Sequence, residues 1–152
     1  MLILAAAYDW QRRRIPDWLT LAGAVAALAG AAWEGRAPLG AAIMGGLIAL
    51  VLFGPLYLLG LGWSRARGQS APALGFGDVK LALLVGVVCR WPAALPALLI
   101  GVLAGGLAAL ALLLWHLARN TYRQDIALPY GVFLTLGGLA GLWADGLLLQ
   151  LP

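Results

Sequence analysis

The sequence predicts an all-α fold, a polytopic membrane helix bundle of about six segments with a short first helix. Three observations predict it. Of the 152 residues, 63% are hydrophobic and 11% charged, against about 45–50% and about 25% in soluble domains. The mean hydropathy is +0.93, more apolar surface than a soluble domain of this length can hide. The apolar residues also fall into runs of about the length that crosses a bilayer. The whole chain, 1–152, reads as one integral-membrane domain without internal repeat or low-complexity tract.

The first run, Met1–Tyr8, is partial. Only eight residues precede Asp9, about 12 Å of helix, which is too short to cross alone. It is also too short for a signal peptide with basic, apolar and cleavage regions. A half-length first helix, or a start that lies further upstream, is expected. The second run is Ile15–Trp33, the third Leu39–Gly62, and the fourth, also short, Val79–Cys89. Pro92–Leu117 and Pro129–Leu149 complete the six. The breaks are the basic run 10–14, Glu34–Pro38, the polar stretch Trp63–Gly77, Arg90–Trp91 and Ala118–Leu128.

Trp10, Trp18, Trp33, Trp63, Trp91 and Trp115 lie at or near these ends, where an indole places its apolar body in lipid and its N–H at the headgroups. Trp143 is the exception. If the breaks alternate sides, Arg12, Arg13, Arg14, Arg65, Arg67, Lys80, Arg119 and Arg123 share one side, and Arg36 and Arg90 the other. That bias makes the first side cytoplasmic and puts both termini outside. The same clustering explains the net charge of +4 as topology, so no nucleic-acid partner is expected. Gly101-x-x-x-Gly105 and Gly137-x-x-x-Gly141 have the spacing that lets helix backbones approach closely. Cys89, the single cysteine, allows neither an intrachain disulfide nor a Cys-x-x-Cys metal site and reads as a packing residue. No metal or organic cofactor is implied, and His116 at a helix end is not expected to be a ligand or catalyst.

Ionisable groups near a membrane are costly, so each of the six acidic residues needs a reason. Glu34 and Asp125 fall in loops and read as solvated surface. Asp145 reaches the outer interface. Asp17 follows Ile15-Pro16 at a helix start, where a carboxylate complements the exposed N–H groups. Asp9 ends the first run, and Asp78 follows Gly75-Phe76-Gly77 and begins another helix. Both fall on the cytoplasmic side at similar depth. If a bundle brings them together they share a proton, one serving as base toward water while the other polarises a peptide carbonyl. The alternative, equally open on these grounds, is that each caps a helix or pairs with an arginine.

The residues in these places resemble a known family. Asp9-Trp-Gln-Arg-Arg-Arg-Ile15-Pro16-Asp17 resembles the first signature of the type IV prepilin peptidases, an aspartate, five residues, then Ile-Pro and usually Asn, with Asp17 at the Asn position. Gly75-Phe-Gly77-Asp78-Val79-Lys80-Leu81 is similar to the second signature, Gly-x-Gly-Asp-Val-Lys. Leu128-Pro129-Tyr130-Gly131-Val132-Phe133-Leu134 is similar to a later Ile-Pro-x-Gly-Pro-Phe-Leu segment, with Val132 for proline. The resemblance implies a Gly-x-Gly-Asp aspartic protease of the bacterial inner membrane with Asp9 and Asp78 as its catalytic pair. Its substrates would be prepilins or pseudopilins, cut at the cytoplasmic face after the glycine that ends a basic leader, just before an apolar helix. Bifunctional members add a cytoplasmic domain, often with paired Cys-x-x-Cys, and methylate the new N-terminus. This sequence resembles the short peptidase-only members of Flp/Tad pilus systems, and no methyltransferase activity is expected.

Gly75, Gly77, Lys80 and Pro16 are expected to bind substrate or shape the site. The glycines give a substrate strand room, and Gly68, Gly75 and Gly77 are candidate hinges of a covering loop at Trp63–Gly77. That loop reads equally as a solvated tether. Lys80 is free to contact substrate, lower a carboxylate pKa or snorkel to headgroups; Arg12–Arg14 read as topology determinants. Two other readings stand beside the prepilin peptidase: a presenilin-type Gly-x-Gly-Asp protease, and a non-enzymatic membrane subunit of a pilus or secretion assembly. The Ile15-Pro16 block and the small size favour the first. The lipid bilayer is the other expected partner, and the Gly-x-x-x-Gly faces leave the oligomeric state open.

Overall fold

The structure, a computed structural model, describes residues 17–68, 75–119 and 130–148. All regular structure among them is α-helical. The helices are α1 (Asp17–Glu34), α2 (Arg36–Ala66), α3 (Phe76–Cys89), α4 (Ala94–Ala118) and α5 (Tyr130–Leu148). The expected first segment Met1–Tyr8, the basic run Arg12–Arg14 and Asp125 lie outside the described residues.

Two helices, α2 with 31 residues and α4 with 25, are long and apolar enough to cross a membrane, and Tyr130–Ala144 of α5 is a shorter apolar helix. The outward surface matches: Leu58, Leu103, Leu107, Leu114 and Leu139 face out, as do Trp18, Trp33, Trp63 and Trp115 near helix ends. Trp143 is also exposed, although it lies within α5.

The break expected at Trp63 falls later. Helix α2 runs to Ala66, with Arg65 in its last turn, where a cation suits the exposed carbonyls. The Arg67 guanidinium then lies over the Trp63 ring at 4.5 Å from its centroid. Pro55 is accommodated within this helix. Between α1 and α2 the chain turns at Gly35, whose φ of 133° lies where side-chain-bearing residues rarely go.

Helix α3 is the centre of the bundle. It has 14 residues, about 21 Å, shorter than the bilayer core. Its length is explained by its surroundings, since it packs against all four other described helices. Leu81, Leu84, Val85 and Cys89 of α3 form the core with Leu19, Phe53, Leu98 and Leu134, drawn from the other four. Its start at Phe76, three residues before the expected Val79, follows from Asp78, which fits a first helical turn. Cys89 is buried, as expected, and donates to the Gly138 carbonyl at 3.3 Å.

Close backbone contacts join the helices. A Cβ on Gly86 of α3 would stand 2.3 Å from the Gly45 carbonyl oxygen of α2, and one on Gly45 would stand 2.1 Å from that of Gly86. The two expected Gly-x-x-x-Gly stripes face each other across α4 and α5: a Cβ on Gly137 would meet the Ala97 carbonyl oxygen at 2.3 Å and Gly101 N at 2.6 Å.

The first turns of α1 and α3 lie side by side, and so do their last turns. At one end Lys80 meets Asp17; at the other Arg90 grips Glu34 with two guanidinium nitrogens, at 2.5 and 2.8 Å. Helices α1 and α3 therefore run parallel. Glu34, expected as plain solvated surface, is exposed but held in this ion pair. The Arg90 hydrogen bonds pull its carboxyl pKa below the ordinary value, against a smaller opposing effect of desolvation.

Candidate active site

Asp78 occupies the third position of α3, in the first turn of the central helix. Gly75 precedes the helix in an extended conformation, φ −73° and ψ 146°. The Asp78 carboxylate accepts a hydrogen bond from the Gly75 N–H at 3.2 Å, while the Asp78 N–H donates to the Gly75 carbonyl at 3.1 Å. This is a capping box with only its backbone and return arms, because glycine has no side chain to contribute. The exchange fixes the carboxylate at the helix start, where the exposed N–H groups favour negative charge. Asp78 is half-buried, and the space around Gly75 is tight: a Cβ there would stand 3.3 Å from Asp78 Oδ2.

Neighbouring helices hold this turn on several sides. Lys80 Nζ lies 2.6 Å from Asp17 Oδ1 on α1 and 4.4 Å from the centroid of the Phe76 ring. The Phe76 ring in turn meets Tyr57 of α2, with centroids 5.5 Å apart and planes inclined by 47°. A cation between a carboxylate and an aromatic face is compensated on both sides. Tyr130 opens α5 within electrostatic reach of Asp78, and its ring covers Gly105 of α4, where a Cβ would come within 2.6 Å of Cε2. Side chains from α1, α2 and α5 thus adjoin the first turns of α3 around Asp78.

Of the expected site residues, Gly75 and Asp78 are hydrogen-bonded to each other, Lys80 lies further along α3 against Asp17, and Gly77 lies inside the first turn of α3. That corrects its expected role as a loop hinge, because a residue inside a hydrogen-bonded turn is not free to swing. The stretch Trp63–Gly77 is helical at both ends, through Ala66 and from Phe76. The Lys80 ammonium pairs with the exposed Asp17 carboxylate. Asp17 sits at the first residue of its helix, as expected, but its carboxylate also reaches across to α3. Asp9 and Pro16 lie outside the described residues.

Sequence reasoning missed the contributions of Tyr57, Phe76 and Tyr130. A signal for Tyr130 was available, since it stands inside the Leu128–Leu134 block. Nothing in the order of residues pairs Tyr57 with Phe76. No group of three or more potential metal ligands occurs among the described residues. The chemistry available at this turn is that of an oriented carboxylate with backbone N–H groups beside it.

Comparison with known proteins carries this further. The model of the type IV leader peptidase family matches residues 1–110, which include both candidate aspartates. A prepilin leader peptidase/N-methyltransferase of Burkholderia pseudomallei is 32% identical over 142 residues, covering 93% of this chain and 43% of the relative. One from Aeromonas salmonicida is 28% identical over 148 residues, covering 97% of this chain and 48% of the relative. An Aeromonas hydrophila protein of the same name has the same identity and coverage. The chain thus spans about half the length of the curated relatives it matches. No solved structure matches it.

Proposed function

The chain belongs to the type IV leader peptidase family, and from that premise we propose that it is an intramembrane aspartic endopeptidase that removes the basic leader of prepilins or pseudopilins. One observation carries the reading: the family match spans both signature blocks, and the second presents Asp78, fixed and half-buried, at the start of the central helix. We place the partner carboxylate at Asp9, eight residues before Asp17.

In the proposed reaction Asp9 and Asp78 share one proton, because two adjacent carboxylates do not both ionise cheaply. The ionised member takes a proton from water as its oxygen attacks the carbonyl of the leader's last glycine. The protonated member gives its proton to the carbonyl oxygen. Collapse of the tetrahedral intermediate breaks the C–N bond, and the nitrogen leaves as an amine after taking a proton from the dyad. Gly75 lets a substrate strand lie close to the Asp78 turn. The proposal covers peptide cleavage alone.

The proposed setting is the bacterial cytoplasmic membrane, with about six segments and the Asp78 end toward the cytoplasm. The apolar outer surface and the lengths of α2 and α4 support insertion. Helices α1, α3 and α5 would cross in their company, α3 shielded from lipid by its neighbours.

The test is leader cleavage in membranes. The chain is co-expressed with an Flp-type prepilin, and loss of the leader is followed by gel shift and mass spectrometry. Cleavage after the leader glycine is expected from the parent and lost in Asp9→Asn and in Asp78→Asn at equal membrane abundance. Cleavage that survives both substitutions overturns the catalytic assignment. A parent that never cleaves favours a non-enzymatic role in a pilus or secretion assembly.

A further inference from the structure

A groove of about 360 Å³ lies between α1 and α3, lined by Asp17, Thr20, Leu21, Ala24, Lys80 and Leu83. Its α1 wall has the spacing i, i+3, i+4 and i+7, one stripe of a helix, and its α3 wall continues with i and i+3. The two walls differ along their length. Asp17 and Lys80 stand at one end, and Leu21, Ala24 and Leu83 form the rest. Lys80 is only two residues from Asp78. The groove therefore starts at the level of the candidate catalytic turn, on the α1-facing side of α3, and follows α1 away from that level for about 10 Å.

We infer that this groove receives the apolar helix of the substrate, the segment immediately after the scissile bond, as its first turns enter the bundle. The choice of occupant rests on the peptidase reading above. Three features select it. A bond at the junction of a basic leader and an apolar helix must lie at the Asp78 end, and the helix must run inward from there. Both walls run in that direction, because α1 and α3 are parallel and begin at that end. The Asp17 carboxylate, 79% exposed at the mouth, compensates the Lys80 charge that would otherwise repel a basic leader. A trough of this size and lining takes the side chains along one face of a helix and leaves the rest of that helix in lipid.

The experiment installs a benzophenone-bearing phenylalanine in place of Leu21, whose side chain is largely exposed, in the Asp78→Asn background. The membrane preparation is irradiated with a tagged peptide of basic leader, glycine and apolar helix. A second peptide carries the leader alone, and a second probe replaces Leu58, exposed on α2. An adduct at position 21 on the first turns of the peptide's apolar helix is expected, absent with the leader alone and weak from position 58. Adducts to lipid alone, or equal adducts from both positions, overturn the inference.

In the cleaving parent, Leu21→Trp and Ala24→Phe are expected to raise KM about tenfold with kcat unchanged. Leu21→Trp projects from an exposed position and spares the core if Ala24→Phe disturbs folding. Parental KM in the folded variants also overturns the groove. The two readings fail separately. An adduct without any parental cleavage keeps the groove and removes the peptidase, while cleavage without an adduct does the reverse.

Discussion

Lys80 Nζ stands 2.6 Å from Asp17 Oδ1 and so joins the first turn of α1 to the turn of α3 that carries Asp78. The contact also joins the first two signature blocks of the sequence, which are otherwise 63 residues apart at these positions. Lys80 is 28% exposed and Asp17 79%, so solvent screens much of the attraction. The pair is a locator more than a source of stability.

Lys80→Met and Asp17→Asn should each cost under about 1 kcal/mol in detergent melting. Leader cleavage should fall further than that, because each substitution releases the turn that fixes Asp78. The exchange Asp17→Lys with Lys80→Asp should recover part of the lost rate. Equal losses in the exchange and the single variants would remove the locating role.

Gly86→Ala should destabilise by about 1–3 kcal/mol, the usual cost of overpacking. The added methyl would stand 2.3 Å from the Gly45 carbonyl oxygen and 2.9 Å from Ala49 Cβ, so α2 and α3 must separate. Between helices in lipid, close packing replaces water exclusion as the cohesive force, and separation is not offset elsewhere. Gly54→Ala, with nothing within 4 Å, is the control and should be neutral or slightly stabilising. Thermal melting of the two variants in one detergent checks the contrast.

The Arg90–Glu34 pair at the other end of α1 and α3 predicts a pH dependence. Its carboxyl pKa is lowered in the fold, chiefly by the Arg90 hydrogen bonds. The stabilisation is therefore fully present above the ordinary glutamate pKa and is lost as pH falls through the lowered, folded value. Melting temperatures taken downward through the acid range should drop in the parent. That component of the drop should vanish in Glu34→Gln, which cannot titrate, and in Arg90→Gln, which removes the cause of the shift.

Much of this was legible in the sequence where local chemistry decides it. Tryptophans and charges marked most helix ends, Gly101, Gly105, Gly137 and Gly141 marked the α4–α5 contact, and Asp78 marked a helix start. Family resemblance singled out Gly75 and Asp78, which the structure joins by a hydrogen bond. The central place of α3 was not legible, because a helix apolar all round reads the same whether it faces lipid or protein. Nor was the end of α2, since Arg65 looks like a break yet suits a last helical turn. The pairings of Asp17 with Lys80 and Glu34 with Arg90 depend on which helices run parallel, information that no short window holds.

The two glycine stripes between α4 and α5 separate stability from site geometry. A methyl on Gly137 would strike the Ala97 carbonyl oxygen at 2.3 Å and Gly101 Cα at 2.8 Å, all backbone, which cannot turn aside. A methyl on Gly105 would strike only the Tyr130 ring, at 2.6 Å from Cε2, and a ring can rotate away. Gly137→Ala should therefore lower stability by about 1–3 kcal/mol, while Gly105→Ala should leave melting nearly unchanged. The ring that moves, however, belongs to the residue within electrostatic reach of Asp78. Gly105→Ala should consequently reduce leader cleavage more than Gly137→Ala does at a temperature where both remain folded. Melting and initial cleavage rates, measured on the same preparations, give the comparison. If cleavage in the two variants simply follows their stabilities, Tyr130 has no part in the site.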